Sequence, residues 1–336
     1  MSLRKLNFFI LAAAVLFVGV SCKKDDETAI LPYLEGLYFD CPEFVGPGQA
    51  VTLRPKGVVA PEGVEVGYFW RVTPTMSSND TTDVYVHWFS DTLKTYSVNC
   101  YAFADGYTNT SYSWDVMVIK GGLDGSLTET DIVASDPKIT VDGIDYYYTQ
   151  VGDLYWFRNN LAATGSGIPF ENEDIASDVF GRFYNYNEAL TACPVGWRLP
   201  TEEDWMNLAD AIGSPISKKY AVAQDATSKL LVNASFNSVQ FLDYWPEVGN
   251  ITNSSKVSMM PFGYVNFGNR NEAGKYPNAS FYGVFDYAVY WTADKVEGEE
   301  NMAYYRYMIS TQPEMLIGKG DVNSFGASVR CVRDAQ

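Results

Sequence analysis

Histidine is almost missing from this chain: His87 is the only one in 336 residues. A Ser-His-Asp triad needs an imidazole base. The lone imidazole sits in the aromatic run Val84-Tyr85-Val86-His87-Trp88-Phe89, so a sheet histidine outweighs a catalytic one. Histidine-rich zinc sites are excluded with it. Basic residues are also scarce, with 24 Lys and Arg against 41 Asp and Glu and a formal net charge of -17. Loss of a leader carrying Arg4 and Lys5 takes the charge to -17 - 2 = -19. Such a surface repels nucleic acid and anionic headgroups. A phosphate loop is lacking, because Gly318-Lys319-Gly320 has neither the upstream glycine nor a following Ser or Thr. Asp321-Val322-Asn323-Ser324-Phe325 starts like a calcium loop but puts Phe325 at the third acidic position and Val332 where a bidentate Glu belongs. No metal and no cofactor are expected.

Five cysteines are present: Cys22, Cys41, Cys100, Cys193 and Cys331. The odd one has its own explanation. Arg4 and Lys5 precede an apolar run from Leu6 to Val20, about the length of a signal-peptide core and short for a membrane span. Gly19-Val20-Ser21-Cys22 then resembles a bacterial lipobox, with cleavage before Cys22 and acylation of that residue. Val20 stands where a small residue is commoner. Lys23-Lys24-Asp25-Asp26-Glu27 is similar to the charged signal that sends Bacteroidetes lipoproteins to the outer cell face. Several acyl chains on one residue give stable anchoring. The other four cysteines allow three pairings, and four free buried thiols remain the alternative.

Residues 33–120 read as all-β. Turn signals recur at Gly46-Pro47-Gly48, Pro61-Glu62-Gly63, Ser77-Ser78-Asn79-Asp80 and Asp105-Gly106. Between them lie short runs such as Ser97 to Phe103 and Tyr112 to Ile119. That spacing predicts a sandwich. Cys41, Trp70 and Cys100 follow the order of the cysteine, tryptophan and cysteine of an immunoglobulin domain. Asn99-Cys100-Tyr101-Ala102 also looks like a late strand of such modules or of PKD-type ones. Gly121 to Pro137 is polar and turn-rich, as a linker is. Strands are expected at 139–141, 144–151 and 153–157.

The stretch from Phe180 to Leu208 reads as helix, tight connection, helix. Tyr186, Ala189, Leu190 and Cys193 share one helical face, and Pro194 ends that helix. Thr201 starts the second, with Asp204 as an Asp variant of a capping box. Trp205, Leu208, Ala209 and Ile212 form its buried stripe, and Gly213 stops it. The acids Glu202-Glu203-Asp204 fall in a first turn, where the helix dipole favours them; that outweighs a glycosidase pair.

Several motifs appear in a fixed order. They are Val151-Gly152-Asp153-Leu154-Tyr155-Trp156 with Asn159-Asn160-Leu161; Gly181-Arg182-Phe183-Tyr184; Ala192-Cys193-Pro194-Val195-Gly196-Trp197-Arg198-Leu199-Pro200; Tyr290-Trp291-Thr292; and Ser328-Val329-Arg330-Cys331-Val332. By these, residues 139–334 resemble the Fibrobacter succinogenes major paralogous domain, a C-type-lectin-like domain frequent in surface lipoproteins of Bacteroidetes and Fibrobacteres. The resemblance implies a Cys193–Cys331 bridge, and the division into two domains implies Cys41–Cys100. Formylglycine-generating enzymes share the lectin-like fold but use a pair of late cysteines, and Cys331 is alone here. Calcium-dependent lectins carry a Glu-Pro-Asn loop and a Trp-Asn-Asp strand; this chain has Trp291-Thr292-Ala293-Asp294 and no such triplet.

The expected architecture is therefore multidomain, an all-β immunoglobulin-like sandwich followed by an α+β C-type-lectin-like domain. Residues 1–21 would be the lipoprotein signal peptide, 22–32 a lipidated tether, 33–120 the sandwich, 121–138 the linker and 139–336 the lectin-like domain. The expected function is non-catalytic binding of glycan or a surface protein by an outer-membrane, surface-exposed lipoprotein. The alternative is a structural or assembly subunit of an adhesin or outer-membrane complex. Its partners would be the membrane, through the lipid, and that ligand, with no nucleic acid. Asn- and Gly-rich loops with aromatics suit sugars or extended peptides, so Tyr244, Trp245, Tyr264, Asn269 and Arg270 are the expected ligand residues. In Tyr304 to Ile309, Tyr305, Tyr307 and Ile309 should share one face and Tyr304, Arg306 and Met308 the other.

Overall fold

The computed structural model describes residues 31–74, 82–129, 132–163, 165–217, 221–237, 251–271 and 276–335, with 239–240 as backbone. The lipidation residue Cys22 and the ligand residues Tyr244 and Trp245 lie outside the described residues. The architecture is mostly β, arranged in several sheets with four short α-helices among the described residues. Among those residues no helix is long and apolar enough to cross a membrane.

In the N-terminal region one sheet runs in the order Phe44–Val45, Thr110–Val118, Thr95–Phe103, Gly67–Thr73. A second, two-stranded sheet pairs Ala50–Leu53 with Tyr85–Trp88. Strand alternation fills the space between them: Tyr96, Val98, Cys100 and Ala102 all point inward from one strand. They meet Trp70, Val72, Phe89 and Val116 in one core. His87 is buried there, its Nδ1 3.0 Å from the Tyr85 hydroxyl and its ring edge-on to Phe89. Burial lowers its pKa, so it is a neutral packing residue.

The pairing of Cys41 with Cys100 is not made; both are free thiols. Trp70 and Cys100 are cross-strand partners. Phe39, not Cys41, fills the space over them, with its ring 5.1 Å from Trp70 and 5.1 Å from Tyr112, the residue opposite Cys100. Cys41 lies instead near Glu173. Burial pushes both thiols up to about 12.

The C-terminal region carries a four-stranded antiparallel sheet of Lys138–Val141, Ile144–Val151, Leu154–Phe157 and Val332–Asp334. The last strand thus returns to the first ones. A five-stranded sheet contains Tyr287–Lys295, Met302–Ile309 and Met315–Asp321. The helix Tyr186–Ala192 runs into Cys193, which bonds Cys331 across 138 residues with Cα atoms 5.8 Å apart. The helix Glu202–Ala211 starts at Thr201 with a full Thr201/Asp204 capping box, and Trp205, Leu208 and Ala209 are buried. In the shorter helix Leu190 turns outward, 44 % exposed, since Tyr186 and Ala189 already cover the core.

The motifs of the C-terminal region converge on one buried polar network. Arg330 is fully buried. Its guanidinium donates to the carbonyls of Phe157, Val257 and Ser258, to Asn160 Oδ1 and to the Tyr290 hydroxyl. Asn160 Nδ2 in turn reaches the Phe180 carbonyl and Ser328 Oγ. Ser258 Oγ donates to Glu129, which pairs with buried Arg158 at 3.0 Å. Glu129 belongs to the stretch read as a linker, where Leu127–Glu129 pairs antiparallel with Ala234–Phe236.

The two regions touch. The Phe44 ring lies 5.7 Å from Phe170 and 5.5 Å from Phe180, and Ile119 joins the same cluster. The Glu173 carboxylate accepts from the backbone N–H of Glu43 at 2.9 Å and of Phe44 at 2.8 Å. Burial pushes Glu173 up to about 7, against those two hydrogen bonds.

Candidate binding surface

Asn185 caps the helix Tyr186–Ala192. Its Oδ1 accepts from the Glu188 N–H at 2.9 Å, and the Glu188 carboxylate accepts from the Asn185 N–H at 3.3 Å. That box fixes both side chains and leaves Asn185 Nδ2 to reach Tyr276 Oη at 3.4 Å. Tyr276 stands on the opposite wall, packed on Phe267 at 4.5 Å, with the Arg270 guanidinium 5.6 Å over its ring. Between the walls is an open groove of about 560 Å³. Asn187, Thr191, Asn269, Arg270 and Asn323 line it, together with Ser166 and the capping pair. Asn187 Nδ2 meets Asn323 Oδ1 at 3.5 Å. Gly268 turns the wall at φ +62°, and a Cβ there would come within 3.0 Å of the Asn278 carbonyl, so the turn needs glycine.

The turn at Asn323 leads in two residues to an aromatic ladder. Phe325 stacks on Tyr305 at 4.7 Å and on Tyr264 at 5.4 Å. Tyr264 also stacks on Tyr282 at 5.4 Å. Tyr307 extends the ladder from Tyr305, and Tyr287 from Tyr307. Two glycines seat the rings: a Cβ at Gly318 would come 2.3 Å from Tyr305, and one at Gly283 2.5 Å from Tyr287. Tyr305 is pushed up to about 12 by burial first and by its tyrosine neighbours second. Burial also raises Tyr264 and Tyr307, so these three hydroxyls stay protonated near neutral pH, able to donate as well as accept. On the other face of the same strand Arg306 is buried, pairing with Glu202 through Nε at 3.1 Å and Nη2 at 2.5 Å. Glu202 and Asp204 thus serve Arg306 and Arg198.

Of the expected ligand residues, the structure places Asn269 and Arg270 in the groove and Tyr264 in the ladder. Asn185, Asn187, Thr191 and Asn323 were not expected there. Asn185 with Glu188 three residues on is a readable cap signal; Asn323 carried none. A glycosidase places two carboxyls across its cleft, and Glu188 is the single acid among the described residues lining this one. Among the described residues no group of three or more His, Cys, Asp or Glu is placed to hold a metal ion. The groove offers amides, hydroxyls and one guanidinium, which is a hydrogen-bonding surface.

These features define a β-rich protein with a loop-built polar groove and, separately, a buried arginine network. Residues 149–333 match the family described as the Fibrobacter succinogenes major domain, and this chain belongs to that family. No curated protein matches the chain. Among solved structures, the adhesin InvE of Yersinia pseudotuberculosis is similar over 90% of this chain and 71% of its own, at 11% identity and a TM-score of 0.26. That likeness is too loose to bear on fold or function.

Proposed function

We propose that this protein is a cell-surface binding lipoprotein that recognises glycan without transforming it. In this reading Cys22 carries the lipid in the outer membrane, the N-terminal region is an immunoglobulin-like sandwich, and the C-terminal region is a C-type-lectin-like head. The groove carries the reading: amides and a guanidinium in an open channel, beside stacked aromatic rings, suit the hydroxyls and flat apolar faces of sugars. A glycan array probed with the full chain tests it. Saturable binding of a glycan family, weakened by Asn269→Ala and Asn323→Ala, is the expected result. Turnover of a bound glycan into smaller products would contradict the non-catalytic part. Cys22→Ala should release the protein from membranes in fractionation.

A second reading is a structural subunit of a surface assembly. It is favoured by one observation, exposed apolar side chains at Val86 and Trp88 on the outer face of the strand Tyr85–Trp88, continued by Val84 just before it, with Trp88 71 % exposed. Stripes of this kind mark protein contacts. Co-purification of a defined partner, lost in Trp88→Ala, supports it.

A further inference from the structure

We propose that the outer face of the N-terminal four-stranded sheet is a second binding site, for a sugar bearing a carboxylate. The strand Gly67–Thr73 is an edge of that sheet. Alternation turns Trp70 and Val72 into the core and Phe69 and Arg71 outward. Register then sets Tyr101 opposite Phe69, Asn99 opposite Arg71, and Phe103 opposite Gly67. Phe69, Arg71, Tyr101, Phe103 and Asn109 line a cavity of about 400 Å³.

The walls are built. The Phe69 and Tyr101 rings sit 5.7 Å apart at 52°, splayed rather than stacked. The Phe103 ring covers Gly67, where a Cβ would come within 2.5 Å of it, and remains 39 % exposed. Asn99 is held by its own Nδ2, donating to the Ser97 carbonyl at 3.2 Å, and by Ser113 Oγ, donating to its Oδ1 at 2.5 Å.

Arg71 is the unspent group. It is exposed and makes no ion pair or hydrogen bond among the described residues, in a chain with 41 acids to 24 bases. A cation on an edge strand also guards against strand-to-strand aggregation. That accounts for a charge on the edge but not for three aromatic rings gathered around it. A free guanidinium takes a carboxylate through two parallel hydrogen bonds. Aromatic faces take the apolar side of a pyranose, and the exposed Asn109 amide takes a hydroxyl. A polyanionic partner would meet a chain of net charge -17 and be repelled. One carboxylate facing one guanidinium is not penalised in that way, and this favours a singly acidic sugar over an acidic polypeptide.

The test is calorimetric titration of the full chain with oligosaccharides ending in N-acetylneuraminate, glucuronate or galacturonate, beside their uncharged counterparts. At least one acidic sugar should bind, with the uncharged counterpart weaker by about tenfold or more, the cost of losing one charged bidentate contact. Arg71→Gln should lose that same factor without lowering the melting temperature, and Tyr101→Ala should also weaken binding. Arg270→Gln, in the distant groove, should leave it unchanged, which separates this site from the glycan reading above. Binding of none of the acidic sugars, undiminished binding by Arg71→Gln, equal loss in Arg270→Gln, or equal affinity for an Asp-terminated peptide would each overturn the proposal.

Discussion

The two regions are held together by different chemistry. The N-terminal core is apolar and unbridged: Trp70, Tyr96, Val98 and Val116 pack around a free Cys100. The C-terminal region has a disulfide and three buried arginines, Arg158, Arg306 and Arg330. Arg158 and Arg306 have carboxylate partners, while Arg330 is surrounded by carbonyls, an amide and a hydroxyl. An apolar core tolerates repacking when volume is kept. A buried polar network does not, because each orphaned partner has a desolvation cost. The family's sequence motifs map onto the second kind of core. Asn160, Tyr290, Ser328 and Arg330 of those motifs meet in this network, whereas the groove is lined by side chains outside it, most of them exposed or half-buried.

The largest effect should come from breaking that network. Arg330→Met keeps the volume but strips donors from three carbonyls and from Asn160. Denaturant unfolding should show a loss of about 3–5 kcal/mol in the C-terminal region. A volume-keeping change in the other core, Leu53→Met, should cost less than about 1.5 kcal/mol. Equal losses would erase the contrast.

Reduction comes next. A reductant should lower the stability of the C-terminal region by about 2–5 kcal/mol, through the 138-residue separation that Cys193–Cys331 closes. The N-terminal region should be unaffected. Cys41 and Cys100, pushed up to about 12, should resist alkylation in the folded state at neutral pH. Rapid labelling of either one would break the comparison.

A smaller effect joins the regions. The folded pKa of Glu173, about 7, lies above its ordinary 4.5, so the fold favours the protonated form. Neighbouring Glu43 and Glu171 push the same way. That contribution is full below about 4.5 and is lost as pH rises through about 7. Melting temperature should fall across this window, and Glu173→Gln should flatten the slope. An unchanged slope in the variant would assign the pH dependence to other acids.

What the sequence made legible was local. Thr201 and Asp204 stand three residues apart, so their capping box needed no distant information. The stripe of Trp205, Leu208 and Ala209 follows from one period. The Cys193–Cys331 bond came through the family's motif order. What stayed hidden depends on distance in space. Cys41, Trp70 and Cys100 have the right order, but order does not say that Phe39 takes the place beside Trp70. Glu129 looks like any linker acid until Arg158, 29 residues on, is seen to bury it. The groove draws on residues 185–191, on Gly268, Asn269, Arg270 and Tyr276, and on Asn323, and nothing in any one of these stretches announces the others. Leu190 fits the helical period yet faces solvent, because a helix of 7 residues needs only Tyr186 and Ala189 inside.

The most direct measurement of the account is paired affinity and melting temperature for Arg270→Gln on the full chain, using whichever neutral glycan the array identifies. Arg270 lines the groove over Tyr276 and is exposed. Affinity should fall by about tenfold, one lost charge-assisted contact, with the melting temperature unchanged. Unchanged affinity, or a fall in melting temperature that tracks the fall in binding, would contradict a glycan site in this groove.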